Sequence, residues 1–119
     1  MAEHLSFGKK SEDKAVEWLE QHGYEILHRN WKFSYFEIDI IAKKKEVLHI
    51  IEVKARHYGP IGFPENNVGR KKFKRLQRAA DQFLFMNPGI SIWLQYDILA
   101  ITEQKNGTTD FFLLEDVFL

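Results

Sequence analysis

Cysteine is absent from this 119-residue chain, which excludes disulfides and thiolate metal sites and points to a cytoplasmic setting. Long apolar runs are absent too, so no membrane-spanning helix is expected, and the N-terminal MAEHLSFGKK lacks the apolar core of a signal peptide. Net charge is zero, with 17 basic residues against 17 acidic ones. Affinity for a polyanion can therefore come only from local clustering of charge. Proline is scarce, and no linker, internal repeat or low-complexity tract divides the sequence. What remains is 45% hydrophobic and 14% aromatic, enough for one folded domain over residues 1–119 that buries roughly two thirds of its unfolded surface.

The chain is organised around Phe36 to Arg56, FEIDIIAKKKEVLHIIEVKAR. Two runs rich in Ile and Val flank the polar Lys43-Lys44-Lys45-Glu46, which is the pattern of a β-hairpin. Because side chains alternate along a strand, Glu37 and Asp39 point away from Ile38 and Ile40, while Glu52 and Lys54 share a face. A turn with an even number of residues would then bring Glu37, Asp39, Glu52 and Lys54 onto one face of the sheet. One reading is a solvated face on which Lys54 balances an acid across the strands. Ile41, Leu48 and Ile50 fall on that same face, however, so the acids rise from an apolar surface where an unpaired carboxylate is costly. A divalent cation resolves the conflict, since carboxylate oxygens are hard ligands suited to Mg²⁺ or Mn²⁺.

The flanking segments give a frame for this hairpin. Leu5 to His22 reads as a helix closed by Gly23. Glu12 lies on the stripe of Ala15, Val16 and Leu19; it is either a first-turn acid complementing the helix dipole or an acid delivered to the sheet beside Asp39 and Glu52. Tyr24 to Trp31 reads as a strand, joined to the hairpin by a short link. His22, His28, His49 and His57 lack zinc-site spacing and read as surface or satisfied histidines. Ala55 to Gly69 holds three of the seven glycines and two of the three prolines and reads as a long loop overhanging the acids, with Tyr58 and Phe63 either anchoring it or stacking on a base. Asn67 is the candidate cap of a helix from Arg70 to Met86 with an apolar stripe of Phe73, Leu76, Ala80 and Phe83. Its first nine positions hold Arg70, Lys71, Lys72, Lys74, Arg75 and Arg78 and no acid, an arrangement that opposes the helix dipole and that a phosphate backbone would explain. Lys71, Lys74, Arg75 and Arg78, with Arg56, are the candidate nucleic-acid contacts. Ile90 to Ile101 reads as a strand parallel to its predecessor, with Trp93 and Leu94 buried and Asp97 interrupting it. Lys105-Asn106-Gly107 then turns the chain into a last strand near Phe111 to Leu114.

Asp39, a dozen hairpin residues and then Glu52-Val53-Lys54 resemble the catalytic signature of the PD-(D/E)xK nuclease superfamily. In wider context, GKKSEDKAVEWLEQHGYEILHRN, FEIDIIA, IIEVKARHYGPIG and the helix beginning VGRKK resemble the uncharacterised bacterial YraN-like family, itself similar to archaeal Holliday junction resolvases. Ser11 and Phe36 depart from it, standing where the family usually has glycine. The resemblance implies an α/β fold with a restriction-endonuclease-like αβββαβ core, a mixed central sheet flanked by helices. It implies Mg²⁺- or Mn²⁺-dependent cleavage of DNA, branched DNA included, with Asp39, Glu52, Lys54 and Glu12 catalytic. Asp39 and Glu52 would hold the metal, helped by Glu12 and by the carbonyl of Val53, and Glu37 would be an outer partner or the exposed end of its strand. Two other readings stay open: a non-catalytic nucleic-acid-binding module on the same frame, and an interaction protein that forms a homodimer through its edge strand and Phe111, Phe112 and Phe118.

Overall fold

A computed structural model describes residues 2–57, 69–90 and 93–117. The elements are α1 (Ala2–Gln21), β1 (Glu25–Phe33), β2 (Phe36–Lys44), β3 (Val47–His57), α2 (Arg70–Met86), β4 (Trp93–Glu103) and β5 (Thr109–Leu114). This is the expected αβββαβ core followed by the expected last strand. The five strands form a mixed sheet in the order β1-β2-β3-β4-β5. Neighbours run antiparallel except β3 and β4, which are parallel because α2 crosses between them.

One helix covers each face of the sheet. α1 lays Ala15 and Leu19 on Tyr24, Ile40, Ala42, Ile51, Leu99 and Ile101. α2 lays Leu76, Ala79, Ala80 and Phe83 on Ile38, Ile41, Leu48 and Ile50, following its predicted apolar stripe. α1 stops where Gly23 adopts φ 90, with the amides of Gly23 and Tyr24 donating to the carbonyls of Glu20 and Leu19. That left-handed turn satisfies the last helical carbonyls and admits glycine without strain.

Several expectations are corrected by packing. β1 runs two residues further than predicted and is bulged between Ile26 and His28, so its alternation resets within the strand. Trp93 is 62% exposed, not buried. The cap position of α2 is Gly69, which makes no side-chain cap bond, rather than Asn67, which lies outside the described residues together with Tyr58, Phe63 and Phe118. Asp97 is 2% exposed yet leaves β4 intact, because its carboxylate accepts from His49 Nδ1 at 2.7 Å, from Gln95 Nε2 at 2.9 Å and from the amide of Asp116 at 2.9 Å. A buried carboxylate surrounded by donors in this way is compatible with a strand interior.

Ser11 is a different case. It is 2% exposed, and its hydroxyl has no hydrogen-bond partner among the described residues. A buried, unpaired hydroxyl in mid-helix loses its hydration without compensation, and alanine has the higher helix propensity. Ser11→Ala is therefore expected to stabilise the protein by about 1 kcal/mol and raise the melting temperature by about 4 °C. A fall in melting temperature would show that the hydroxyl is bonded in solution.

Candidate active site

The β2–β3 turn is Lys45-Glu46, two residues with Lys45 at φ 56. The even count sets the register Lys44↔Val47 through Ile40↔Ile51, and the charged positions fall on the α2 face beside Ile41, Leu48 and Ile50. At Ile40↔Ile51 the β2–β3 ladder stops. β2 stays paired with β1 as far as Phe36, and β3 stays paired with β4 as far as His57, so the two middle strands part like a fork. Ile38 accordingly joins the α2-side core although Ile40 lies with α1.

Asp39 and Glu52 stand at the crotch of this fork. The amide of Val53, which has left the ladder, donates to Asp39 Oδ2 at 2.8 Å. Burial, with Glu52 and then Glu37 adding repulsion, pushes the Asp39 carboxyl up to about 7 despite that bond and the nearby Lys72 ammonium. Glu52 is 6% exposed. Two ammonium groups converge on its Oε1, Lys72 at 2.5 Å and Lys54 at 3.5 Å. Burial and the neighbouring Lys72 lower the Lys54 ammonium. Burial is the largest influence on Lys72 and lowers it, but its hydrogen bonds to Glu52 and Lys54 and the charges of Glu52 and Asp39 together raise it. Asp39, Glu52 and Glu37 line a cavity of about 380 Å³ with Tyr35, Phe36, Lys72, Arg75 and Leu76.

Of the residues singled out from sequence, Asp39 and Glu52 line the cavity with Glu37 on its exposed rim, and Lys54 approaches Glu52 without being a lining residue. At Val53 it is the amide that engages Asp39. Glu12 is not among the cavity residues; its carboxylate accepts from Asn30 Nδ2 and lies 3.5 Å from Arg29 Nε. Lys71, Lys74, Arg75 and Arg78 are exposed on α2, and of these Arg75 reaches the cavity. Arg56 is half-buried on β3 opposite Thr102. Lys72 was missed. The signal was present: it precedes Leu76 by four and Ala79 by seven, which puts it on the apolar stripe facing the sheet. Tyr35 was missed as well, because the link it occupies proved to be a two-residue turn closing a three-stranded meander.

Among the described residues no three His, Asp or Glu side chains are grouped to hold a metal. Two converging carboxylates still suit a Mg²⁺-like ion, which commonly keeps several waters and takes one or two carboxylates together with substrate phosphate. The desolvated, like-charged pair Asp39 and Glu52 fits such an ion, with Lys72 neutralising Glu52 in the geometry seen.

The profile of the uncharacterised protein family UPF0102 matches residues 11–101. Proteins of that family from Bacteroides thetaiotaomicron and Flavobacterium psychrophilum are 44% and 40% identical to this chain, covering 90% and 99% of it and 88% and 98% of their own lengths. A third, from Chloroherpeton thalassium, is 38% identical over 99% of the chain. With the match spanning the first helix through the fourth strand, the chain belongs to the UPF0102 family.

Proposed function

We propose that this protein is a metal-dependent endonuclease, with DNA as its substrate. The observation that supports this most directly is the strand fork, which holds Asp39 and Glu52 together in a desolvated cleft and brings two lysines to the same carboxylate. Asp39 and Glu52 would hold Mg²⁺ or Mn²⁺, which when bound supplies a Lewis acid for a phosphodiester and acidifies an attacking water. The Val53 amide fixes Asp39. Lys54, partly desolvated and 3.5 Å from Glu52, would stabilise charge developing on the phosphoryl oxygens, where a preorganised cation is worth most. Lys72 balances Glu52, and Arg75 on the cavity wall is suited to a flanking phosphate.

The test is cleavage of a panel of linear, forked and four-way DNA, with RNA counterparts, in Mg²⁺, in Mn²⁺ and in EDTA. Metal-dependent cleavage abolished by Asp39→Asn is expected. Binding without cleavage by the wild type on any substrate would replace the enzyme with a binding module.

Lys71, Lys74, Arg75 and Arg78 fall on one stripe of α2 and are solvent-exposed. If they meet phosphates, each neutralisation weakens binding on every sequence and reduces the slope of log K against log salt by about one. Replacing all four with an unchanged slope would return the stripe to a solvated face.

A further inference from the structure

We propose that the tip of the β1–β2 hairpin is a stacking platform for an unpaired nucleobase, formed by the ring of Tyr35. The inference rests on the nucleic-acid part of the function proposed above and extends it to the shape of the substrate. Phe33 pairs with Phe36, which leaves Ser34-Tyr35 as a two-residue turn. Such turns favour Asn-Gly or Asp-Gly because their backbone needs positive φ. Here Ser34 takes φ 57, and Tyr35 is 97% exposed. The sequence forgoes good turn formers and holds out an aromatic ring that adds almost nothing to the core. Departures of this kind from local preference concentrate at functional positions.

The location says what the ring would meet. Tyr35 lines the same cavity as Asp39, Glu52, Lys72 and Arg75. On the hairpin, Lys32 stands opposite Glu37, so the tip itself is close to neutral. Phe33 and Phe36 form the last cross-strand pair at its base. A π face beside cations and a candidate cleavage site matches one chemistry, a base projecting from a phosphate chain. In a continuous duplex the bases are stacked on one another and cannot use Tyr35. A strand with a base out of the helix next to the scissile position can.

The experiment measures binding by the full chain in EDTA to a splayed fork and to a blunt duplex of the same sequence, with 2-aminopurine in the unpaired arm. The wild type is expected to prefer the fork and to quench the 2-aminopurine. Tyr35→Ala should lose about tenfold on the fork while its duplex affinity stays within about twofold, and Tyr35→Trp should restore both fork affinity and quenching. Equal losses on fork and duplex, no loss on either, or rescue by Tyr35→Leu as complete as by Trp would each overturn the platform. So would a concentration-dependent dimer of the free protein that Tyr35→Ala dissolves, since the ring would then belong to a second copy of the chain. No cleavage enters this measurement. A wild type that cuts nothing removes the nuclease reading alone, and a Tyr35→Ala protein that still prefers forks removes the platform alone.

Discussion

In EDTA at pH 8, Asp39→Asn is expected to melt about 5–10 °C above the wild type, and at pH 4 the two should nearly coincide. The direction follows from the Asp39 carboxyl, which is pushed from 3.8 in the unfolded chain to about 7 by burial and by Glu52. A raised carboxyl pKa means that the folded state holds a proton the unfolded chain has released. The associated stability is complete below about pH 4 and is lost as the pH rises through about 7. A shift of this size corresponds to at most about 4 kcal/mol. Asparagine keeps the shape, keeps an oxygen for the Val53 amide, and cannot ionise. Millimolar Mg²⁺ or Mn²⁺ should act in the opposite sense, raising the melting temperature of the wild type more than that of Asp39→Asn by mass action. Equal metal shifts would detach the metal from Asp39. A wild-type curve that does not fall relative to the variant between pH 4 and pH 8 would show that the carboxyl is better solvated than its position in the fork indicates.

Replacing the two lysines is expected to separate stability from rate. Lys72 is the near partner of buried Glu52, and Lys54 is the far one. Lys72→Met leaves a 6%-exposed carboxylate with its weaker contact and should cost about 2 kcal/mol, read as a lower melting temperature. Lys54→Met leaves the 2.5 Å pair intact, so melting temperature and DNA affinity should barely move. The cleavage rate should nevertheless fall about 100-fold or more, the scale associated with removing one preorganised electrostatic group. A Lys54→Met protein that melts early yet cuts at the wild-type rate would make Lys54 a counterion and leave the transition state to another group.

The hairpin was legible in the sequence because its information is local. Two β-branched runs, a polar turn and a period of two were enough to place Asp39 and Glu52 on one face and to set that face among Ile41, Leu48 and Ile50. The order of elements followed from Gly23 and the helical stripes. What escaped was set by tertiary geometry. Nothing in FEIDIIA says that the strands part at Asp39, because a fork is a relation between two strands and not a property of either. Glu12 lay on the core-facing stripe of α1, but α1 covers the face of the sheet opposite the carboxylates, and Glu12 meets Asn30 and Arg29 instead. Trp93 looked like core because it is large and apolar, but it opens β4 at a point where the described fold leaves it exposed.

The fork also determines what scanning mutagenesis can find. Asp39 is held by the main-chain N–H of Val53, a group released for that purpose because β2 and β3 have stopped pairing. Side-chain substitution at Val53 leaves that amide in place; only proline removes it. An alanine scan would therefore score position 53 as a packing residue and report the two carboxylates without the element that orients one of them. Part of this centre is written in backbone, where the course of the strand, and not the side chain of residue 53, orients the carboxylate.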